Sequence, residues 1–262
     1  MAKLFSKPKV GLALSGGAAR GLAHIGVIKV IQEEHIPVDC VTGASVGSLM
    51  GALFAAGMHW TDMAAAARHM KWKDLAQITL SQLGIAKHAK LQEITDRLIG
   101  GKRFEDLPLP FAAVAVDLQS GEEVVFSSGP VADAVRASSS IPGLFEPTVL
   151  DGRFLVDGGL LNNLPADLAR NLGADVVIAV DLNSQTEETS PPKNVLDVLY
   201  RCFQIVLDHN ERDERAQADV VVAPDLTGKS YYDLKQLDDL IELGEQAARD
   251  SLPRIRRACR IK

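Results

Sequence analysis

Three short stretches of the chain carry residue types that could together perform acyl transfer. The first is Gly43-Ala44-Ser45-Val46-Gly47, of the form G-x-S-x-G, lying between a strand-like run over 38–42 and a helical run over 48–56 that ends at Gly57. A sharp strand-to-helix turn at that place would hold the Ser45 hydroxyl clear of the backbone. Gly43 and Gly47 are needed there because so tight a turn brings strand and helix too close for a Cβ. Ser45 itself is expected to carry about 1–3 kcal/mol of local strain. A serine at a helix start can also be a plain N-cap. A cap does not need glycine on both sides, so the pattern favours a nucleophile.

Acyl transfer also needs donors aimed at the developing oxyanion. The turn Ser15-Gly16-Gly17-Ala18-Ala19-Arg20-Gly21 follows a buried apolar run over 10–14 and precedes a helical pattern over 21–35, so its amides and the helix behind them are candidates. The competing use of such a turn is a phosphate- or nucleotide-binding module built on Gly16-Gly17. The match to that use fails, because there is no G-x-x-x-x-G-K-[ST] and Ala18 breaks the G-x-G-x-x-G form.

The general base is the informative gap. The six histidines are His24, His35, His59, His69, His88 and His209. A Ser-His-Asp hydrolase places its histidine late, in a loop after a strand. Only His209 is late, and it sits inside a long helical pattern over 194–216. Asp157 is the alternative. Asp151-Gly152 fits a two-residue hairpin turn between runs at 148–150 and 153–156, which puts Asp157 at the far strand end, where α/β sheets place their sites. A carboxylate bonded to the serine hydroxyl serves as base when desolvation raises its pKa toward the working pH.

The elements around these residues read as α/β. Two strand–turn–helix units in the first 57 residues imply a parallel sheet between helices, since parallel strands need crossovers. Strand-like runs return at 111–116, 122–126, 154–156, 176–180 and 220–222, with helical patterns near 130–138, 163–171, 194–216 and 236–259. Residues 58–101 read as an inserted helical section containing Met58, Trp60, Met63, Met70 and Trp72, which suits packing over the sheet or an acyl-chain surface. The polar stretch 184–194 is a surface loop too short to divide the chain, so residues 1–262 are expected to form one domain.

Of 262 residues, 47% are hydrophobic and 24% charged, enough apolar material for a sizeable core. The net charge of −6 argues against nucleic acid, whose binding is mainly phosphate neutralisation. Arg254, Arg256, Arg257, Arg260 and Lys262 complement a helix C-terminus, with contact to anionic lipid as the competing reading. Three cysteines without a CxxC suggest neither a disulfide framework nor a zinc site, and fit a reducing cytoplasm. The N-terminus lacks a signal peptide's apolar stretch, and no apolar run is long enough to span a bilayer. Lipid contact is therefore expected to be peripheral, including at the inner membrane surface.

With the serine elbow, the turn ending in Arg20-Gly21 and the triplet Asp157-Gly158-Gly159 in that order, the chain resembles the bacterial patatin-like phospholipases. The resemblance runs from about residue 9 to 182 and takes in RASSSIPGLF at 136–145 and GADVVIAVDL at 173–182, whereas 194–262 match only loosely. It implies a three-layer α/β/α sandwich with a largely parallel central sheet. It also implies a Ser45–Asp157 dyad without histidine, an oxyanion hole at the amides of Gly16, Gly17 and Ala18, and no metal or cofactor. Many members carry a third glycine where this chain has Ala18. The activity implied is hydrolysis of lipid acyl esters through an acyl-enzyme, and a family member kept as a scaffold or regulator is the alternative.

Overall fold

The computed structural model of the chain describes residues 7–71, 77–78, 83–184 and 191–261. The N-terminal six residues, Trp72, most of the 184–194 loop and Lys262 lie outside the described residues. The chain begins with β1 (Val10–Leu14), a 3-10 turn (Ala18–Leu22), α1 (Ala23–Glu33), β2 (Cys40–Ala44) and α2 (Val46–Ala55). Next come α3 (Trp60–His69), β3 (Gln77–Ile78), β4 (Ala86–Lys87) and α4 (Ala89–Ile99). The sheet resumes with β5 (Phe111–Asp117) and β6 (Glu123–Phe126), then α5 (Val131–Ser138), β7 (Thr148–Leu150) and β8 (Arg153–Asp157). After a 3-10 turn (Gly158–Leu160) follow α6 (Ala166–Asn171), β9 (Val176–Val180), α7 (Val195–Arg215), β10 (Val220–Val222) and α8 (Leu237–Ala258).

The eight-stranded sheet has the order β10-β9-β1-β2-β5-β8-β7, with β6 also paired to β5. β10, β9, β1, β2 and β5 are parallel, while β6, β7 and β8 add an antiparallel corner. The strand period of two decides what each face meets. Val10, Leu12 and Leu14 of β1, with Val176, Ile178 and Val180 of β9, join the large core beneath α1, α2 and α8. Ala13, Val177 and Ala179 turn to the other face, against Ala166 and Ala169 of α6. This is the expected three-layer α/β/α arrangement. Asp151 and Gly152 both have positive φ, 49° and 78°, as a two-residue turn matched to sheet twist requires.

The inserted section is not wholly helical, because the β3–β4 pair interrupts it. The reason is tertiary. The amides of Ile85 and Ala86 donate to the Leu144 carbonyl at 3.1 and 3.0 Å, and Glu146 N–H donates back to Ala86 O at 3.0 Å. Those bonds hold the segment extended against 144–146, overriding its local propensity. Among the described residues no helix is long and apolar enough to cross a membrane.

Two glycines set the approach of α1 and α8. A Cβ on Gly26 would lie 2.0 Å from the Ile241 carbonyl oxygen, and one on Gly244 2.0 Å from that of Ala23. Backbone cannot yield as a side-chain tip can, so Gly26→Ala must separate the helices. The expected loss is about 2–4 kcal/mol, or roughly 5–15 °C in Tm. Calorimetry would check this, and an unchanged Tm would contradict the contact.

Candidate active site

β2 runs to Ala44, and α2 begins at Val46, so Ser45 alone makes the turn. Its φ of 52° and ψ of −127° lie where L-residues rarely go, a conformation costing about 1–3 kcal/mol. The neighbours over-determine it. The Ser45 N–H donates to Ser138 Oγ at 2.9 Å, and its carbonyl accepts from Ser48 N and Oγ at 2.9 and 2.6 Å. A Cβ on Gly43 would fall 2.3 Å from Gly47 O, and one on Gly47 2.2 Å from Leu14 O. Ser45 is nevertheless only 6% exposed.

Sheet register brings Asp157 to this serine. Ala44 pairs with Val114 of β5, which puts Ser45 level with the next residue, Ala115. On the other side of β5, Ala115 pairs with Asp157. A Cβ on Gly158 would lie 2.2 Å from Val114 O, so only glycine lets the chain turn this closely under β5. The Asp157 N–H donates to Ser140 O at 3.0 Å, and Oδ1 accepts from Gly159 N–H at 2.9 Å. Oδ2 is buried without a hydrogen bond of good geometry among the described residues. Complete burial raises this carboxyl to about 7, with the adjacent Ser45 hydroxyl and the Gly159 amide pulling it down.

The three candidate oxyanion amides do not stand alike. Gly16 N–H already donates to the Asn163 carbonyl at 3.1 Å. Gly17 and Ala18 have no such partner for their N–H groups among the described residues, and both line the small cavity that contains Ser45 and Asp157. Ala18 has φ 48°, the left-handed region that favours glycine, so alanine here carries strain of about 1–2 kcal/mol. Gly21 lets the turn close on α2, since a Cβ there would lie 2.2 Å from Val46 Cγ2. Arg20 turns away from the serine. Its Nε and Nη2 donate to Lys229 O at 3.0 and 2.7 Å, and its guanidinium lies 3.5 Å over the Tyr231 ring. It anchors the turn to the C-terminal part of the chain.

The sequence marks no role for Ser138, Ser140 or Asn163. The two serines hold the backbones of Ser45 and Asp157, as above. Asn163 is fully buried, and its backbone N–H donates to Glu214 Oε1 at 2.9 Å. Its Nδ2 donates to Glu211 Oε1. Burial lifts the Glu214 carboxyl to about 7 against the Leu164 and Asn163 amides, and raises that of Glu211 with the Asp181 charge second. An N-N-x-P string, separated from D-G-G by only Leu160 and Leu161, is the available signal, but nothing local says that α7 would supply two carboxylates to it.

Beside the small cavity, an apolar groove of about 660 Å³ including its open mouth shares Ser45 as wall. Leu22, Leu49, Met50, Ile141 and Phe145 line it, and the inserted section adds Met70, His88 and Leu91. Met63 is instead buried in the core, and Trp60 packs under Lys29 at 4.9 Å. No histidine hydrogen-bonds to Ser45 or Asp157 among the described residues. His209 lies exposed on α7. His24 donates from Nε2 to Ser15 O at 2.9 Å, and His88 stacks on Phe145. Burial lowers the two rings to about 4 and about 3, so both are neutral.

Residues 12–170 match the family model described as patatin-like phospholipase. The chain belongs to the patatin-like phospholipase family. An uncharacterized NTE-family protein of Mycobacterium tuberculosis is 38% identical over 194 residues, 72% of this chain and 52% of its own length. The neuropathy target esterase sws of Drosophila melanogaster is 36% identical over 195 residues, 71% of this chain and 14% of that protein. The chain thus spans about half the length of its mycobacterial relative. VipD from Legionella pneumophila shares the fold at TM-score 0.65 and 14% identity, covering 97% of this chain and 67% of VipD. The segment matched to the patatin-like phospholipase family contains Ser45, Asp157, the glycine turn and Asn163 together.

Proposed function

We propose that this chain is a serine acyl-ester hydrolase acting on lipid esters, with Ser45 as nucleophile and Asp157 as its base. The observation that carries the reading is the fully buried Asp157 carboxyl, raised to about 7, lying against the hydroxyl of a strained elbow serine. A carboxylate so placed accepts a proton near neutral pH, as general-base catalysis requires. Asp157 takes the Ser45 proton as Oγ attacks the acyl carbonyl, and the free amides of Gly17 and Ala18 stabilise the tetrahedral oxyanion. The same proton then passes to the departing alcohol, and water releases the acyl group. The apolar groove receives the acyl chain. Residues 1–262 act in this reading as one domain, with the part after 194 holding the turn through Lys229, Glu211 and Glu214.

The family description supports a lipid ester as substrate, and the groove's apolar lining agrees with it. The test is mass spectrometry of mixed phospholipid, lysophospholipid and triacylglycerol vesicles incubated with wild type and with Ser45→Ala. Free fatty acid is expected to appear only with wild type. Equal lipid profiles in the two incubations would refute the reading.

A further inference from the structure

Asn163 presents three polar groups with partners and one without. Its N–H is bound to Glu214 Oε1 at 2.9 Å, its carbonyl receives the Gly16 N–H at 3.1 Å, and its Nδ2 donates to Glu211. The amide orientation is dictated from outside the site. Glu211 Oε1 also accepts from Asn183 Nδ2 at 2.7 Å, and Oε2 from Arg215 Nη2 at 2.9 Å. Both carboxylate oxygens thus face donors, so Asn163 must turn its NH2 toward Glu211 and its oxygen the other way. That oxygen, Oδ1, is buried and has no hydrogen-bond partner among the described residues.

Oδ1 lies beside the reacting groups. A Cβ on Gly16 would lie 2.3 Å from it and 3.1 Å from Ser45 Cβ. A Cβ on Gly159 would lie 2.7 Å from it and 3.1 Å from Asp157 Oδ1. Asn163, Asp157 and Ser45 line one small cavity together with Phe203 and Leu207 of α7. Asp157 Oδ2 is the other acceptor there, with no hydrogen bond of good geometry among the described residues and the Ser45 hydroxyl as its neighbouring donor. When Oγ is esterified and the Ser45 proton is gone, two buried acceptors face the acyl carbon, and together they call for a ligand with two donors.

We propose that Asn163 is a catalytic residue for deacylation, its Oδ1 and Asp157 Oδ2 together binding the two protons of the hydrolytic water. The proposal rests on the acyl-enzyme reading above. Once Oγ is esterified, Ser45 has no proton to offer, and Asp157 Oδ2 is available to water. A water donating to both oxygens turns a lone pair toward the acyl carbon. Its oxygen bonds to that carbon while one proton passes to Asp157. Collapse breaks the bond from carbon to Oγ, Asp157 returns the proton to Oγ, and the fatty acid leaves, shedding its remaining proton to solvent. Glu211 is a positioning residue that fixes which end of Asn163 faces the water.

The experiment is stopped-flow hydrolysis of a p-nitrophenyl fatty ester, with an alkyl fluorophosphonate to titrate Ser45. Asn163→Ala removes the acceptor. Glu211→Gln keeps the shape, but Arg215 claims the carboxamide oxygen, so its NH2 faces Asn163 and turns that side chain over. In both, Ser45 labelling should stay near the wild-type rate. A burst of about one p-nitrophenolate per labelled site should precede a steady rate about 10- to 100-fold below wild type, as misplacement of a reacting group predicts. Acyl-enzyme should be seen by intact mass. Labelling and turnover falling in step, or no burst in either variant while wild type turns over, would overturn the role of Asn163. A wild type that neither labels nor hydrolyses would sink the acyl-hydrolase reading itself, and this proposal with it.

Discussion

Ser45→Ala is expected to lower kcat/KM for ester hydrolysis by at least about 10⁴-fold, and Asp157→Asn by a comparable factor. The neighbouring hydroxyls cannot substitute. Ser48 Oγ is bound to the Ser45 carbonyl at 2.6 Å and Ser138 Oγ to its N–H at 2.9 Å, so both hold the backbone of the elbow. Asparagine at 157 can still accept the Gly159 N–H and fill the same space, yet it cannot take a proton. In the proposed mechanism nucleophile and base act as one unit, so the double variant should be no slower than either single one within error. Steady-state assays on the three proteins, each with a cooperative thermal transition, would measure this. Either single variant keeping more than about a tenth of wild-type turnover would remove the dyad.

The elements that position the site were legible because each carries a local signal. β1, β2 and the glycines that close them follow from apolar runs ending in residues without Cβ, and the hairpin before Asp157 follows from Asp151-Gly152. Boundaries moved where the turn chemistry is tight. The sequence predicts β2 over 38–42, and it lies at Cys40–Ala44, so that strand and α2 meet at a single residue. The rule that sites sit at strand ends predicts the approach of Asp157 to Ser45. β8 is antiparallel to its neighbour, and it is register across Ala115 that brings the two together. The unequal standing of the three amides was not legible either. Gly16 and Asn163 are 147 positions apart, and no local pattern marks a hydrogen bond between them. The same holds for Ser138, Asn163 and the carboxylates of α7, whose roles exist only once distant segments meet.

Activity is expected to rise at least about tenfold per pH unit to a plateau above about pH 7. The catalytic group is Asp157, raised to about 7 chiefly by burial. It must be ionised to accept the serine proton, so acid removes the active form. His24 and His88 stay neutral across this range, at about 4 and about 3, and add no limb of their own. Glu214 complicates the acid side, since burial places its carboxyl at about 7 as well while it anchors the 163–164 backbone. Stability separates the two. A buried carboxyl whose pKa rises from 3.8 to about 7 on folding is no burden below the lower value. As pH climbs between the two values the unfolded chain ionises first and the fold loses stability, by about 4 kcal/mol once above the upper one. Asp157→Asn removes that loss and keeps the Glu214 effect. The variant should therefore melt above wild type at pH 8, by several degrees, and the difference should fade toward pH 4. A Tm difference that does not change with pH would mean that Asp157 is not the perturbed acid, and a kcat/KM profile flat from pH 5 to 8 would deny it the proton.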